Sequence, residues 1–502
     1  VTNNKTNIVI FGLTGLDTAP IVRELRKNDH FNVVAWFGLF EDATHNTYEF
    51  YRYKMDFNPR LPVPESLFRT LHSELFYFAD NEIRRNEVRG HWRSVNIRYG
   101  SLYEQLDKFH RYIYLAWELF TQNQVDLFLV DSVPHCSADL ILLKVAKFLD
   151  IPTLMVYPSP FPNKFFYFTE FENNAIDFDI YYTDARPIRN GLQFFPLEKR
   201  EKLYYMTKLS TQPAPFDKKT FWSDLRWSPQ NSSSEPHPTA YDFKRLCWDL
   251  RQAWKQHFSK RNWHALADAL QLIIKFSDYK RFYDNLQALT VSPDFNAPYV
   301  YFPLHFQPEL TTMCQGGQIY VNQLLALERL SALLPEDWLI YVKENPLQSE
   351  LCRDDSFFQR LANIKNVRLA PTETNTFDLI DGCRFVSTIS GTVGWEAIKN
   401  GKNVLLFGNM YYQSLPGVFK YRDGFNLEEL LQYRINPDEL QEAINQLYSR
   451  LETGIVNADS SQMLPEFDPI ENAHRVIGFL ERFVAENLRK NSVSPKQLAE
   501  VH

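Results

Sequence analysis

Cysteine is scarce in this chain of 502 residues. The five, Cys136, Cys247, Cys314, Cys352 and Cys383, are odd in number and form no C-x-x-C pair. Such scatter fits a reducing compartment better than a disulfide framework and shows no zinc-site spacing. Positive charge is not in excess either: the net charge of −7 speaks against a general nucleic-acid binder. No run approaches the ~20 apolar residues that a bilayer span needs. The early run "NIVIFGLTGL" is broken by Gly12, Thr14 and Gly15 and soon followed by Asp17. It reads as a first strand rather than a signal peptide. Walker A, G-x-G-x-x-G, H-E-x-x-H and G-x-S-x-G motifs are all missing, as are solenoid repeats and heptad arrays. The expectation is a cytoplasmic globular protein with no metal site and no resident cofactor.

Aromatic residues, by contrast, are abundant, at 15% with 40 Phe and 26 Tyr. They suit a large core and sugar-stacking surfaces alike, so they decide neither. The length predicts about two to four domains. Residues 1–165 alternate apolar runs ("NIVIFG", "FNVVAWFG", "VDLFLVDS", "IPTLMVYPSP") with helical patterns. Continuous apolar strands between helices predict a parallel sheet covered on both faces. The rhythm lapses over 166–295, which holds the loop-like "SPQNSSSEPHP" and a long helical tract, and reads as a mainly helical insertion or linker. It returns over 296–470 with "PYVYFPLH", a helix over about 317–334, "WLIYVKEN", "VRLA", "FVSTIS" and "NVLLFGN". Residues 471–502 form a terminal helix and tail. Two Rossmann-like halves, a linker and a helix free to pack across them describe an α/β fold of GT-B-like architecture.

The stretch "STISGTVGWEAIKNGKNVLLFG" (387–408) reads as strand, turn, helix, strand. Its turn, Ser390-Gly391-Thr392-Val393-Gly394, predicts unpaired backbone amides at a helix start, which suit a phosphate or carboxylate. Glu396, in the first helical turn, is placed to reach a ribose diol. In open α/β sheets ligands sit beyond the carboxyl ends of the strands, where this turn must lie. A capped helix whose glycines serve only packing is the competing reading.

Two longer segments carry a resemblance: "YFPLHFQPELTTMCQGGQIYVNQLLALERLSALLPEDWLIYVKENP" and "FVSTISGTVGWEAIKNGKNVLLFGNMYYQSLPGVF". Over roughly 298–420 the chain resembles the bacterial capsular polysaccharide biosynthesis family of the KpsC/KpsS type, which includes retaining β-Kdo transferases using CMP-Kdo. The resemblance implies a GT-B fold with the nucleotide-sugar donor on the second half. Better-known members read K-E-H-P where this chain has Lys343-Glu344-Asn345-Pro346, and the His-Pro pair there is associated with the donor nucleotide. Asn keeps hydrogen-bonding capacity but cannot act as a cation or acid, so CMP-Kdo and UDP-sugar donors both stay open.

Other candidates follow from position. Gln315-Gly316-Gly317 opens a helix after the first strand of the second half, as a second amide cradle or an ordinary turn. Lys343 and Glu344 end a strand at the productive sheet edge, as a phosphate contact or a solvated pair. In "LVDSVPHCSAD", Asp131 and His135 are the candidates for nucleophile, base or acceptor positioning, with Ser132 and Asp139 beside them. His305 is a further catalytic candidate. The D-x-D of Asp177 and Asp179 resembles a metal-diphosphate motif, but it is short and common, and GT-B chemistry does not need it. Residues 241–290 carry nine Lys/Arg against five Asp/Glu with Trp248, Trp254 and Trp263 interleaved. That face suits an anionic membrane surface or a helix packing its aromatics on the core. The functional expectation is a glycosyltransferase of capsule or surface polysaccharide, moving a sugar from a nucleotide-sugar to a glycan or lipid-linked acceptor. An epimerase or a non-catalytic glycan-binding protein is the alternative.

Overall fold

The computed structural model describes residues 5–38, 43–46, 62–75, 102–134, 137–161, 163–171, 175–183, 185–189, 191, 193–200, 251, 277–278, 280–307, 312, 314–317, 319–346, 348, 353–457, 464 and 467–488. The loop expected at 228–238 and most of the basic aromatic tract, with Trp248, Trp254 and Trp263, lie outside these residues.

Strands β1 (Thr6–Phe11), β2 (Phe31–Gly38), β3 (His45–Asn46), β4 (Leu127–Val130), β5 (Thr153–Pro158) and β6 (Lys164–Phe168) form a first sheet. Strands β7 (Tyr299–Pro303), β8 (Leu339–Lys343), β9 (Val367–Ala370), β10 (Val386–Thr388), β11 (Val404–Leu406) and β12 (Val418–Lys420) form a second. The short β13 (Glu452–Thr453) returns to the first sheet. The strand orders are β3-β2-β1-β4-β5-β6-β13 and β9-β8-β7-β10-β11-β12. All pairs are parallel except β5–β6 and β6–β13. The parallel strands are buried almost throughout, as expected when helices cover both faces. Each half therefore repeats the doubly wound order in which the chain winds out one way from the first strand and then the other. This is the GT-B-like α/β class expected from sequence. The reversal falls between β1 and β4 in one half and between β7 and β10 in the other.

Some boundaries shift for identifiable reasons. β6 runs across the 165/166 boundary and adds an antiparallel edge where an insertion was expected to start. The helix expected over 317–334 runs only over Gln323–Leu333. Gly317 adopts φ +62° and Tyr320 departs from helical angles, so the helix restarts at Asn322, whose side chain accepts the Leu324 N–H. Asp354, Asn375, Asn426, Asn436 and Asp468 cap later helices in the same way. Each such cap is worth about 1 kcal/mol.

The helix Pro469–Asn487 closes the chain on the first half. Val476, Ile477, Phe479, Leu480 and Phe483 join one apolar cluster with Ile21, Val22 and Leu25 of the helix Ala19–Leu25. Phe479 meets Phe165 edge-on at 5.2 Å. Among the described residues no helix is long and apolar enough to cross a membrane. Phe479→Ala empties a buried ring site, so it should lower unfolding stability by about 3–5 kcal/mol in urea titrations. A change confined to within ~0.5 kcal/mol would mean that the crossing helix contributes little to the fold.

Candidate functional site

The turn singled out in the sequence lies at the reversal point of the second sheet, beyond the carboxyl ends of β7 and β10. His305 follows β7, and Thr388 closes β10. The Nε2 of His305 lies 3.2 Å from the Thr388 hydroxyl and accepts the Ser390 N–H at 3.5 Å. The same hydroxyl accepts the Gly391 N–H at 3.0 Å. An amide can only donate, so Nε2 must be unprotonated and the Thr388 hydroxyl donates to it. This corrects one expectation: the amides of Ser390 and Gly391 are not unpaired anion donors, because Thr388 and His305 take them. Ser390, Val393, Gly394 and Glu396 are buried, while Gly391 and Thr392 are half-buried at the lip. The Thr392 hydroxyl makes no capping bond.

Two glycines are required by what approaches them. A Cβ on Gly391 would lie 2.7 Å from the Thr388 hydroxyl and 3.2 Å from the imidazole. A Cβ on Gly394 would lie 2.4 Å from the Tyr412 hydroxyl, which donates to the Gly391 carbonyl. The glycines thus let His305, Thr388 and Tyr412 clamp the turn from both sides.

The His305 pKa is pushed down to about 4, chiefly by burial and then by the Arg353 guanidinium. It is therefore a neutral hydrogen-bond acceptor that shapes the turn. A role as proton shuttle near neutral pH does not suit it.

Lys343 ends β8 and Glu344 follows it on the opposite face, as the period of two of an extended segment requires, and they do not pair with each other. Lys343 Nζ donates to the Thr374 carbonyl at 2.6 Å and to the Thr376 hydroxyl at 3.1 Å. Glu344 is 2% exposed and bonds Arg353 Nε at 2.7 Å. Arg353 also donates to the Gln307 amide oxygen at 2.7 Å and to the His305 carbonyl at 3.1 Å. Gln307 and Gln348 bond reciprocally, and Gln323 brackets the backbone of His305. Of the two readings left open for these residues, the solvated pair gives way to a buried polar network that joins the β7 and β8 ends. Asn345 is half-buried with its N–H on Glu344, and Pro346 is exposed.

Residues Cys314–Gly317 bridge to the first half. The Cys314 thiol donates to the Pro134 carbonyl, just past β4. The Gln315 amide donates to the Tyr157 hydroxyl near the end of β5 at 2.7 Å. The carboxyl edges of both sheets therefore meet at one seam. Asp131 is half-buried on this edge, and its carboxylate accepts the Leu13 N–H at 2.5 Å. Asp139 is buried and accepts the Leu140 N–H. His135 lies outside the described residues. Asp177 caps its own turn through the Asp179 N–H, and Asp179 accepts the Ser414 hydroxyl from the other half. Among the described residues no group of three or more His, Cys, Asp or Glu could hold a metal ion.

Sequence reasoning missed Thr388, Gln307, Arg353, Tyr157 and Tyr412. Thr388 was the most accessible of them, since strand alternation places it on one face with Val386. Arg353 and Tyr157 have no motif, and only folding brings them to the site.

Residues 210–444 match the family model described as capsule polysaccharide biosynthesis protein. No curated protein matches the chain. Among solved structures, the KpsC β-Kdo 2,4 transferase of Thermosulfurimonas dismutans is similar at 15% identity. That match covers 66% of this chain and 85% of that one, with a TM-score of 0.27. The UDP-GlcNAc 2-epimerase of Methanocaldococcus jannaschii is similar at 13% identity over 95% and 100% of the two chains, with a TM-score of 0.25.

Two predictions follow from the network. Because the folded pKa of His305 lies below the ordinary 6.5, the unfolded chain takes up the proton first. Stability from this group is full above pH 6.5 and falls by up to about 1.4 kcal/mol per unit as pH drops toward 4. Urea unfolding at pH 7 and pH 5 should show a slope that His305→Gln reduces. Glu344→Gln leaves a buried guanidinium without its counter-ion and should cost about 3–5 kcal/mol. The double change with Arg353→Met should recover part of that loss in the same assay.

Proposed function

We propose that this chain, whose residues 210–444 match the capsule polysaccharide biosynthesis family, is a glycosyltransferase that moves a sugar from a nucleotide to a glycan or lipid-linked acceptor. One observation carries the reading: the carboxyl edges of two doubly wound sheets meet at a single seam, with the clamped turn Thr388–Gly394 on one side and Asp131 on the other. Ligands of open α/β sheets bind at such edges, at the point where the winding reverses. Two facing edges suit a reaction with two substrates.

On this reading the donor nucleotide sits on the second half, over Gly391, Thr392 and the end of β8 at Asn345 and Pro346. The acceptor enters against the first half, where Asp131 follows the carboxyl end of β4. The rigid turn would hold the donor phosphates without reorganising during the reaction. Positioning and electrostatic stabilisation of the departing phosphate then supply much of the rate. Asp131 would act as nucleophile or base, held in orientation by the Leu13 N–H. CMP-Kdo is the leading donor and a UDP-sugar the second.

A thermal-shift panel of CMP, UDP and GDP tests the site. At 100 times its Kd, a nucleotide that binds the native state should stabilise it by about 2.7 kcal/mol. Gly391→Ala, which presses on the Thr388 hydroxyl, should weaken that binding about tenfold. Release of free nucleotide from the matching sugar-nucleotide, lost in Asp131→Asn, would support transfer chemistry. If none of the three nucleotides shifts the melting temperature, the transferase reading falls.

A further inference from the structure

The seam between the halves contains a polar group that the folded chain leaves unsatisfied. Gln315 is completely buried. Its amide nitrogen bonds the Tyr157 hydroxyl, while its amide oxygen has no hydrogen-bond partner. Whichever way the amide is set, Tyr157 can satisfy one of its two polar atoms and the other stays unpaired. A buried unpaired acceptor is expensive, and an apolar residue of the same size would remove the penalty. The position is well fixed: the Gln315 carbonyl accepts the Asn409 N–H at 2.7 Å. Gly408, just before Asn409, bonds the Ile389 carbonyl next to the clamped turn. The side chain thus runs from beside the donor-side turn to the β5 edge of the other half.

We infer that the Gln315 amide, held by Tyr157, is a binding group for a sugar hydroxyl seated between the two halves. This deepens the nucleotide-sugar reading above and rests on it. The amide atom that Tyr157 leaves unpaired bonds the sugar hydroxyl. Tyr157 keeps the amide aimed at the seam. The ligand class is a neutral sugar hydroxyl, which can donate to an amide oxygen or accept from an amide nitrogen, whereas an amide carries no charge to draw an anion. The turn Thr388–Gly394 then recognises the nucleotide portion, and Gln315 distinguishes a sugar-nucleotide from the bare nucleotide.

The test uses the full chain with CMP, UDP and GDP and their sugar conjugates, measured for binding and for melting temperature. Gln315→Leu keeps the volume and removes both polar atoms. Its unliganded melting temperature should equal or exceed that of the unmodified chain. Its affinity for the bare nucleotide should stay within about twofold, while the affinity gained from the attached sugar should fall about tenfold. Tyr157→Phe should cause a smaller loss in the same sense, and it decides the matter if Gln315→Leu fails to fold. A lowered melting temperature with the sugar preference intact would make Gln315 a structural tie and overturn the inference, leaving nucleotide binding standing. If the unmodified chain binds no nucleotide or conjugate, the inference falls together with the transferase reading.

Discussion

The Arg353 guanidinium organises the second half around itself. It is wholly buried, yet it bonds the Glu344 carboxylate, the Gln307 amide and the His305 carbonyl. A charge so far from water is tolerated only when every donor finds a partner. The β7 and β8 ends must therefore converge on it in one arrangement. His305 is fixed at the head of that arrangement, and its backbone is gripped from the other side by Gln323. The imidazole then faces β10 and dictates the course of the Thr388–Gly391 turn. The same guanidinium contributes to keeping the imidazole neutral, and neutrality is what lets Nε2 accept an amide proton.

From that anchor the candidate site extends by short steps. The turn is clamped by Thr388 and Tyr412, its neighbours Ile389 and Gly408 share a backbone bond, and Asn409 reaches the carbonyl of Gln315. Gln315 and Cys314 carry the contact to Tyr157 and Pro134 of the first half. A rigid polar interior on one side and a seam with an unpaired amide on the other divide the labour between holding and admitting a ligand. Such local departures from full satisfaction are where function is expected in an otherwise consistent fold.

Much of the fold was legible in local pattern. The runs "VRLA", "LFLV" and "YVYFP" are strands because they are short, apolar and flanked by helices. The terminal helix, expected from residue 471, runs over Pro469–Asn487, where the Asp468 side chain caps it. The place of the Ser390–Gly394 turn followed from the same alternation. Its interior did not: the sequence suggested free amides, and the structure spends two of them on Thr388 and His305. For Lys343 and Glu344 the sequence left a phosphate contact and a solvated pair both open, because adjacency in sequence conceals that successive residues of an extended segment face opposite sides.

By itself the sequence determined two doubly wound α/β halves, a terminal helix, and the strand edge at which a ligand would sit. These depend on hydrophobic period and capping, which are encoded within a few residues. Only the tertiary structure decided that Arg353 supports His305, that Tyr412 occupies the space of a Gly394 side chain, and that Gln315 meets Tyr157. Those partners are separated by 18 to 158 positions in the chain. Their pairing depends on burial, where an unpaired polar group is penalised far more than at the surface, and burial exists only once the chain has folded.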